Sequence, residues 1–218
     1  MSLDTIWYTR CPVPTAFSIA VQLGWIEEAF RRDGIALRSL ASSPDRTVRQ
    51  SHFGHSQENS LRHGGNIPPL VSRAGGGDPR VVGLSRTGSA KLVLALPESG
   101  IRSAEDLKGK RLSVPRRLHD PIDFWRATIR RGFGVALESA GLTWDDAVAV
   151  DVPIARTFVD DSTDRTGATD TLWDSRFVLG HQREEILALL TGQVDAIFSH
   201  GGTCSRSAPT RGSANSAM

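Results

Sequence analysis

Residues 5–40, TIWYTRCPVPTAFSIAVQLGWIEEAFRRDGIALRSL, read as one strand-helix-strand unit, and that unit decides the fold. Thr5-Ile6-Trp7-Tyr8 is rich in strand-forming side chains. Cys11-Pro12-Val13-Pro14 must be an extended turn, because its two prolines fix φ and remove backbone donors. Thr15 is placed to cap a helix running to about Arg32, with Phe17, Ala20, Val21, Gly24/Trp25 and Ala29 at helical spacing. Asp33-Gly34 stops that helix, and residues 35–40 form the second strand. Cys11 therefore falls in the first strand-to-helix loop, the place where open α/β sheets bind their ligands.

Downstream of this unit, residues 41–66 lose hydrophobic content and gain Arg46, Arg49, Arg62, His52, His55 and His63. They read as a long functional loop, helical at most over residues 57–61. Strands are predicted at 80–84, 90–96, 111–114, 147–152 and 193–198. Helices are predicted over 103–109, where Ser103 caps and Gly109 ends a short turn, over 120–141, where Gly132 and Gly134 weaken the middle, and over 181–192. Residues 154–180 are polar without a period. The alternation of strands and helices argues for α/β architecture with mainly parallel sheets. The organisation expected is a first lobe over 1–88, a second over 89–202, and a disordered Ser/Ala/Arg/Gly-rich tail over 203–218.

Composition removes several function classes. The 218 residues are 39% hydrophobic and 23% charged with a formal charge of +2, ordinary for a soluble globular protein. Lys occurs only at 91, 108 and 110, and there is no dense basic run, so nucleic-acid binding is unmotivated. No stretch approaches the roughly 20 apolar residues of a membrane span, and no signal peptide is visible, so a cytoplasmic protein is expected. Cys11 and Cys204 match no zinc spacing and are too few for a disulfide framework. No cofactor or metal is expected.

Five strings carry a resemblance. They are Thr9-Arg10-Cys11-Pro12-Val13-Pro14, His52-Phe53, Arg62-His63-Gly64-Gly65-Asn66-Ile67-Pro68-Pro69-Leu70, Ser103 through Arg111 (SAEDLKGKR) and Gly192 through Ile197 (GQVDAI). The last two resemble the type II periplasmic-binding-protein superfamily, whose members include sulfonate, nitrate and taurine binders, and imply two α/β lobes with a cleft. The first three resemble the 2′-hydroxybiphenyl-2-sulfinate desulfinases. That resemblance implies a cofactor-free hydrolase that releases sulfite from an aromatic sulfinate, with Cys11, His52 and Arg62 in the active site and Gly65 lending a backbone N–H. The Cys-to-His segment is longer here than in that family. Family members continue past the point where this sequence ends, so a C-terminal truncation near Gly202 is expected, with the segment that completes the first lobe missing.

The residue chemistry suits these roles. Cys11 would act as a thiolate nucleophile at sulfur or as proton donor to the carbon that loses sulfite, with a nearby helix N-terminus and Arg10 favouring the thiolate. His52 would orient or deprotonate it. The planar fork of Arg62 matches two sulfinate oxygens, and Gly64-Gly65 lets backbone amides approach an anion. Phe53 is the candidate pocket aromatic, among Trp7, Trp25, Phe17 and Trp125, and Phe17 and Trp25 read as core. Arg117 and His119 are weaker candidates for a second anion contact, or a surface turn. His52, His55 and His63 form a loose metal-like set, the less favoured reading. The partner implied is a small organosulfur anion. The alternative is a solute-binding protein for a sulfonate, nitrate or related anion that feeds an ABC-transporter permease, a reading that leaves Cys11 without a role.

Overall fold

A computed structural model describes residues 3–10, 15–86, 90–159 and 182–200. Cys11, the tail at 203–218 and residues 160–181 of the polar stretch and following helix lie outside the described residues. The chain divides into two compact units, one of Met1–Thr87, Pro115–Thr128 and Pro153–Gly180, the other of Gly88–Val114, Ile129–Val152 and His181–Met218. The sequence reading placed a single boundary at 88/89, whereas the chain passes between the units several times. The crossings at 114/115, 128/129 and 152/153 fall inside continuous strands and a helix, which carry no linker composition.

The first unit opens with β1 (Thr5–Arg10), α1 (Ala16–Gln22), α2 (Trp25–Arg32) and β2 (Ala36–Ser39), followed by α3 (Arg46–Gly54), β3 (Ser60–His63) and α4 (Ile67–Ala74). Its sheet runs β2-β1-β3 with both pairings parallel, Thr9 opposite Arg62 and Arg10 opposite His63. Thr15 caps α1 as expected, its side chain accepting from the Ser18 N–H. The single helix expected to run to Arg32 is two, because Gly24 adopts φ 74 and breaks the ladder. Trp25 consequently turns outward at 64% exposed rather than joining the core.

Two further expectations fail for physical reasons. Residues 41–66 hold a helix and a strand instead of a long loop with a turn at 57–61. Asp45 caps α3 by accepting from the Thr47 N–H at 2.7 Å. Residues 80–84 are β-prone but irregular, with Val82 and Leu84 at 88% and 94% exposure. Among the described residues no strand pairs with them, and propensity without a neighbour does not make a strand.

The second unit draws on β4 (Lys91–Ala95), β5 (Arg111–Arg117), α5 (Phe124–Ser139), β6 (Val148–Ile154), α6 (Arg183–Leu190) and β7 (Ala196–His200), the strands ordered β4-β7-β5-β6. β7 is antiparallel to β4 and parallel to β5. Val152, Ala188, Leu189, Val194 and Ile197 form a buried cluster there. The two strings that suggested the fold meet in one tie. Arg111 donates Nε and Nη2 to Asp195 at 3.1 and 2.6 Å, its backbone N–H donates to the same carboxylate at 2.7 Å, and its Nη1 reaches the Gly192 carbonyl at 2.8 Å.

The two glycines of α5 have different reasons. A Cβ at Gly132 would fall 2.5 and 2.6 Å from Cε1 and Cε2 of Phe198, and closer still to Cζ. Phe198 is buried and tilted against Phe133 at 5.7 Å between centroids, so it has little room to retreat. Gly132→Ala is therefore expected to destabilise by about 1–3 kcal/mol through overpacking, outweighing its gain in helix propensity of at most about 1 kcal/mol. At Gly134 the new Cβ makes ordinary contacts alone, with Trp144 Nε1 at 3.5 Å and Glu138 Oε1 at 3.9 Å. Gly134→Ala should raise stability by up to about 1 kcal/mol. Thermal unfolding midpoints that move in opposite directions verify the pair, and a rise in both refutes the packing argument.

Candidate functional site

The C-terminal ends of β1 and β3 and the end of α3 bring together residues far apart in sequence, all within the first unit. The ring of His52, near the end of α3, places Nδ1 2.7 Å from Oγ1 of Thr9 on β1. Arg62 on β3 donates Nε to the His52 carbonyl at 2.7 Å and Nη1 to the Gly65 carbonyl at 2.9 Å. The guanidinium is thus oriented by two backbone carbonyls. Of the triad expected from the sequence, the imidazole and guanidinium residues meet, and Cys11 lies outside the described residues. Gly65 contributes its carbonyl to Arg62, a contact different from the N–H expected of it. Gly64 and Gly65 are exposed and do not adopt left-handed backbone.

The electrostatics follow from this packing. Burial first, then the Arg62 guanidinium and His55, push the His52 imidazole down to about 3. His55 and His63 are lowered as well, by burial and by Arg62. His52 is therefore neutral at physiological pH, one ring nitrogen a donor and the other an acceptor. Positive charge for an anion falls to Arg62. Because the folded value lies below the ordinary 6.5, the stability this neutral ring contributes is present above pH 6.5 and is lost as pH falls toward 3. The slope reaches at most about 1.4 kcal/mol per pH unit. Replacing His52 by Asn is expected to flatten the acid limb of unfolding midpoint against pH in that window. An unchanged limb refutes the assignment.

Beside His52 stands an aromatic wall. Phe53 meets the His52 ring edge-on at 4.6 Å and stacks on Phe158 at 5.5 Å and Phe124 at 5.9 Å, and those two stack on each other at 4.3 Å. Phe53 is thus a buried helix residue, where the sequence reading had it in a loop. Arg117 lies with its guanidinium 3.6 Å from the Phe158 ring centroid, buried and paired with Asp120 at 3.8 Å. It is neither a surface turn nor, in this arrangement, an open anion contact, while His119 is exposed. Phe17 stacks on His63, Trp125 is buried, and Trp7 carries Arg38 6.0 Å above its ring. No group of three or more His, Cys, Asp and Glu suited to a metal occurs among the described residues. Among the described residues no helix is long and apolar enough to cross a membrane.

Known proteins with this sequence pattern were found by direct comparison. Over 215 residues the chain is 30% identical to 2′-hydroxybiphenyl-2-sulfinate desulfinase of Rhodococcus erythropolis, covering 90% of this chain and 56% of that protein. The chain is similar to these desulfinases over most of its own length. It spans little more than half their length. The crystal structure of a cysteine-to-serine mutant of the desulfinase DszB, in complex with biphenyl-2-sulfinic acid, superposes with a TM-score of 0.54 at 28% identity, over 90% of this chain and 59% of that one. A periplasmic sulfonate-binding protein from Methylobacillus flagellatus KT superposes with the same TM-score of 0.54 at 22% identity, over 91% of this chain and 51% of that one. The second likeness speaks for the fold alone. With the desulfinase match it identifies a type II periplasmic-binding-protein-like α/β fold with mostly parallel sheets. No protein-family model matches the chain.

Sequence reasoning missed Thr9, Phe124 and Phe158 as site residues. Phe158 stood alone in a polar stretch, and Thr9 is 43 positions from the ring it holds, a separation no local pattern reveals.

Proposed function

We propose that the chain is a desulfinase-like hydrolase that cleaves the C–S bond of an aromatic sulfinate. The observation that carries the reading is the Thr9–His52–Arg62 tie, formed at the end of the strand that leads into Cys11 and flanked by three stacked phenylalanines. Arg62 meets the sulfinate oxygens, the phenylalanine wall accepts the aromatic rings, and Cys11 carries the chemistry. The overall reaction takes one sulfinate anion and one water to the arene and hydrogen sulfite. The C–S pair of electrons stays with carbon, which gains a proton, and the water oxygen ends on sulfur. No cofactor is needed for that balance. A neutral His52 serves by hydrogen bonding, and an anion beside Arg62 would offset the repulsion that lowers its pKa.

Incubation with 2-(2-hydroxyphenyl)benzenesulfinate and assay of sulfite tests the proposal, alongside thermal shifts with sulfinates and alkanesulfonates. Catalytic sulfite release supports it. Ligand stabilisation without turnover replaces it with an anion-binding protein of the solute-binding type, and the absence of both turnover and stabilisation leaves neither reading standing. Arg62→Lys keeps the charge but loses the fork that His52 and Gly65 hold. Charged hydrogen bonds are worth roughly 1.5–3 kcal/mol each. A fall in kcat/KM of about 10- to 100-fold is expected, measured by steady-state kinetics. Wild-type kinetics in Arg62→Lys would remove Arg62 from the anion site.

A further inference from the structure

We infer that His63 is a positioning residue for the thiol segment, because it engages the chain on both sides of Cys-Pro-Val-Pro: opposite Arg10 in the sheet, and at the Thr15 hydroxyl that caps the next helix. The inference rests on the desulfinase-like reading of Cys11. His63 ends β3 as the Cα partner of Arg10, the last residue of β1. Its Nδ1 lies 3.4 Å from Thr15 Oγ1. Its Nε2 lies 2.9 Å from Ser85 Oγ, and its ring stacks on Phe17 at 5.7 Å. Phe17 in turn meets the edge of Tyr8 on β1 at 6.5 Å. The ring therefore touches the residue after the segment, and the backbone of the same histidine pairs in register with the residue before it.

One proton arrangement satisfies all of these contacts. Thr15 has a single hydroxyl hydrogen, which it donates to Ser18 Oγ at 3.2 Å, while the Ser18 N–H donates to Thr15 Oγ1 at 3.2 Å. With the Thr15 hydrogen directed to Ser18 Oγ, the contact with His63 is donated by Nδ1–H. Nε2 is left with a lone pair, which accepts from the Ser85 hydroxyl. Burial and Arg62 hold the His63 imidazole below its ordinary value, which keeps this one-proton form at neutral pH. Thr15 itself is buried, and its contact with His63 is partly so. The desulfinase reading assigns no role to this histidine, and a solvated loop residue would show none of these contacts.

The two ring nitrogens can be separated by substitution. Asn places an amide N–H near Nδ1 and cannot reach Ser85, and Gln reaches toward Nε2 and forgoes Thr15. In full-length protein carrying Cys204→Ser, Cys11 is the only thiol. The pH dependence of its alkylation by iodoacetamide is then measured beside kcat and KM for sulfite release. His63→Leu is expected to shift the alkylation profile and lower kcat by about 10-fold or more with little change in KM, since misplacement of a reacting group acts on the chemical step. His63→Asn should restore most of both, and His63→Gln should not. An unchanged profile and kcat in His63→Leu, or rescue by Gln in place of Asn, overturns the inference. If His63→Leu fails to fold, the comparison of Asn with Gln decides on its own. Absence of sulfite from the wild type would sink the enzymatic reading, yet the alkylation profiles would still settle the part played by His63.

Discussion

Cys11→Ser is expected to reduce sulfite release by about 10²- to 10⁴-fold, the share that a positioned proton donor or its equivalent contributes. A thiol with an ordinary pKa near ~8.5 is a fair acid and, as thiolate, a strong nucleophile, whereas a serine hydroxyl at neutral pH is neither without an activating base. The substitution therefore removes both roles that the residue chemistry leaves open to Cys11. Binding should survive, because the anion is assigned to Arg62 and the rings to the phenylalanine wall. DszB in its cysteine-to-serine form was crystallised with biphenyl-2-sulfinic acid, so the exchange is compatible with ligand binding in that protein. Calorimetric titration with the sulfinate, run beside the sulfite assay, should show affinity changed by less than about threefold, under ~1 kcal/mol. Turnover equal to wild type would remove Cys11 from the mechanism. Loss of binding together with turnover would mean that the thiol segment shapes the pocket.

How much of this was legible beforehand differs between the fold and the site. β1, the start of α1 and β2 followed from alternation, a capping Thr and a Gly stop, because local rules act over a few residues. The breaks came where a local rule had two outcomes. Gly24 fitted an apolar stripe and also a left-handed helix end, and the geometry took the second. In α3 only Val48 and Phe53 are apolar, yet the helix forms because Asp45 caps it and Ser51 and Phe53 are buried. β3 carries Ser60, Arg62 and His63 in four positions, and its strand character comes from pairing with β1. Tertiary context supplied what propensity lacked.

The candidate site was proposed through resemblance and through little else. Composition alone described residues 41–66 as a polar loop, and nothing in their spacing links His52 to Thr9 or Phe53 to Phe158. Parallel pairing sets Thr9 opposite Arg62, whose Nε reaches the His52 carbonyl, and the return of residues 153–159 to the first unit brings Phe158 to Phe53. The same packing explains why His52 is neutral, since a guanidinium close by and a dry environment both oppose a second positive charge. It also reassigns Arg117. A lone arginine before a helix reads as solvated or as an anion contact, and only the fold reveals the buried carboxylate facing it.

Arg117→Met should cost about 3–5 kcal/mol of stability, the usual penalty for breaking a buried pair from one side. The Arg117 and Asp120 side chains are 0% and 2% exposed. The guanidinium also donates Nη1 to the Arg156 carbonyl at 2.9 Å and lies on the Phe158 ring. The Asp120 oxygens accept from the Phe158 N–H at 3.2 and 3.1 Å. Methionine fills much of the volume but leaves a buried carboxylate without that guanidinium. In a chain of this size each kcal/mol moves the midpoint by roughly 2–4 °C, so a fall on the order of 10 °C is expected in thermal unfolding. The double variant Arg117→Met/Asp120→Asn removes the charge and keeps an oxygen for the Phe158 N–H, and should recover half or more of the loss. Equal losses in the single and double variants would show that packing on Phe158, and not the ion pair, is what Arg117 supplies. Because Phe158 stacks on Phe124 and Phe53, the single variant should also raise KM for aromatic sulfinates more than for small alkyl ones. A loosened wall costs rings more than it costs an anion.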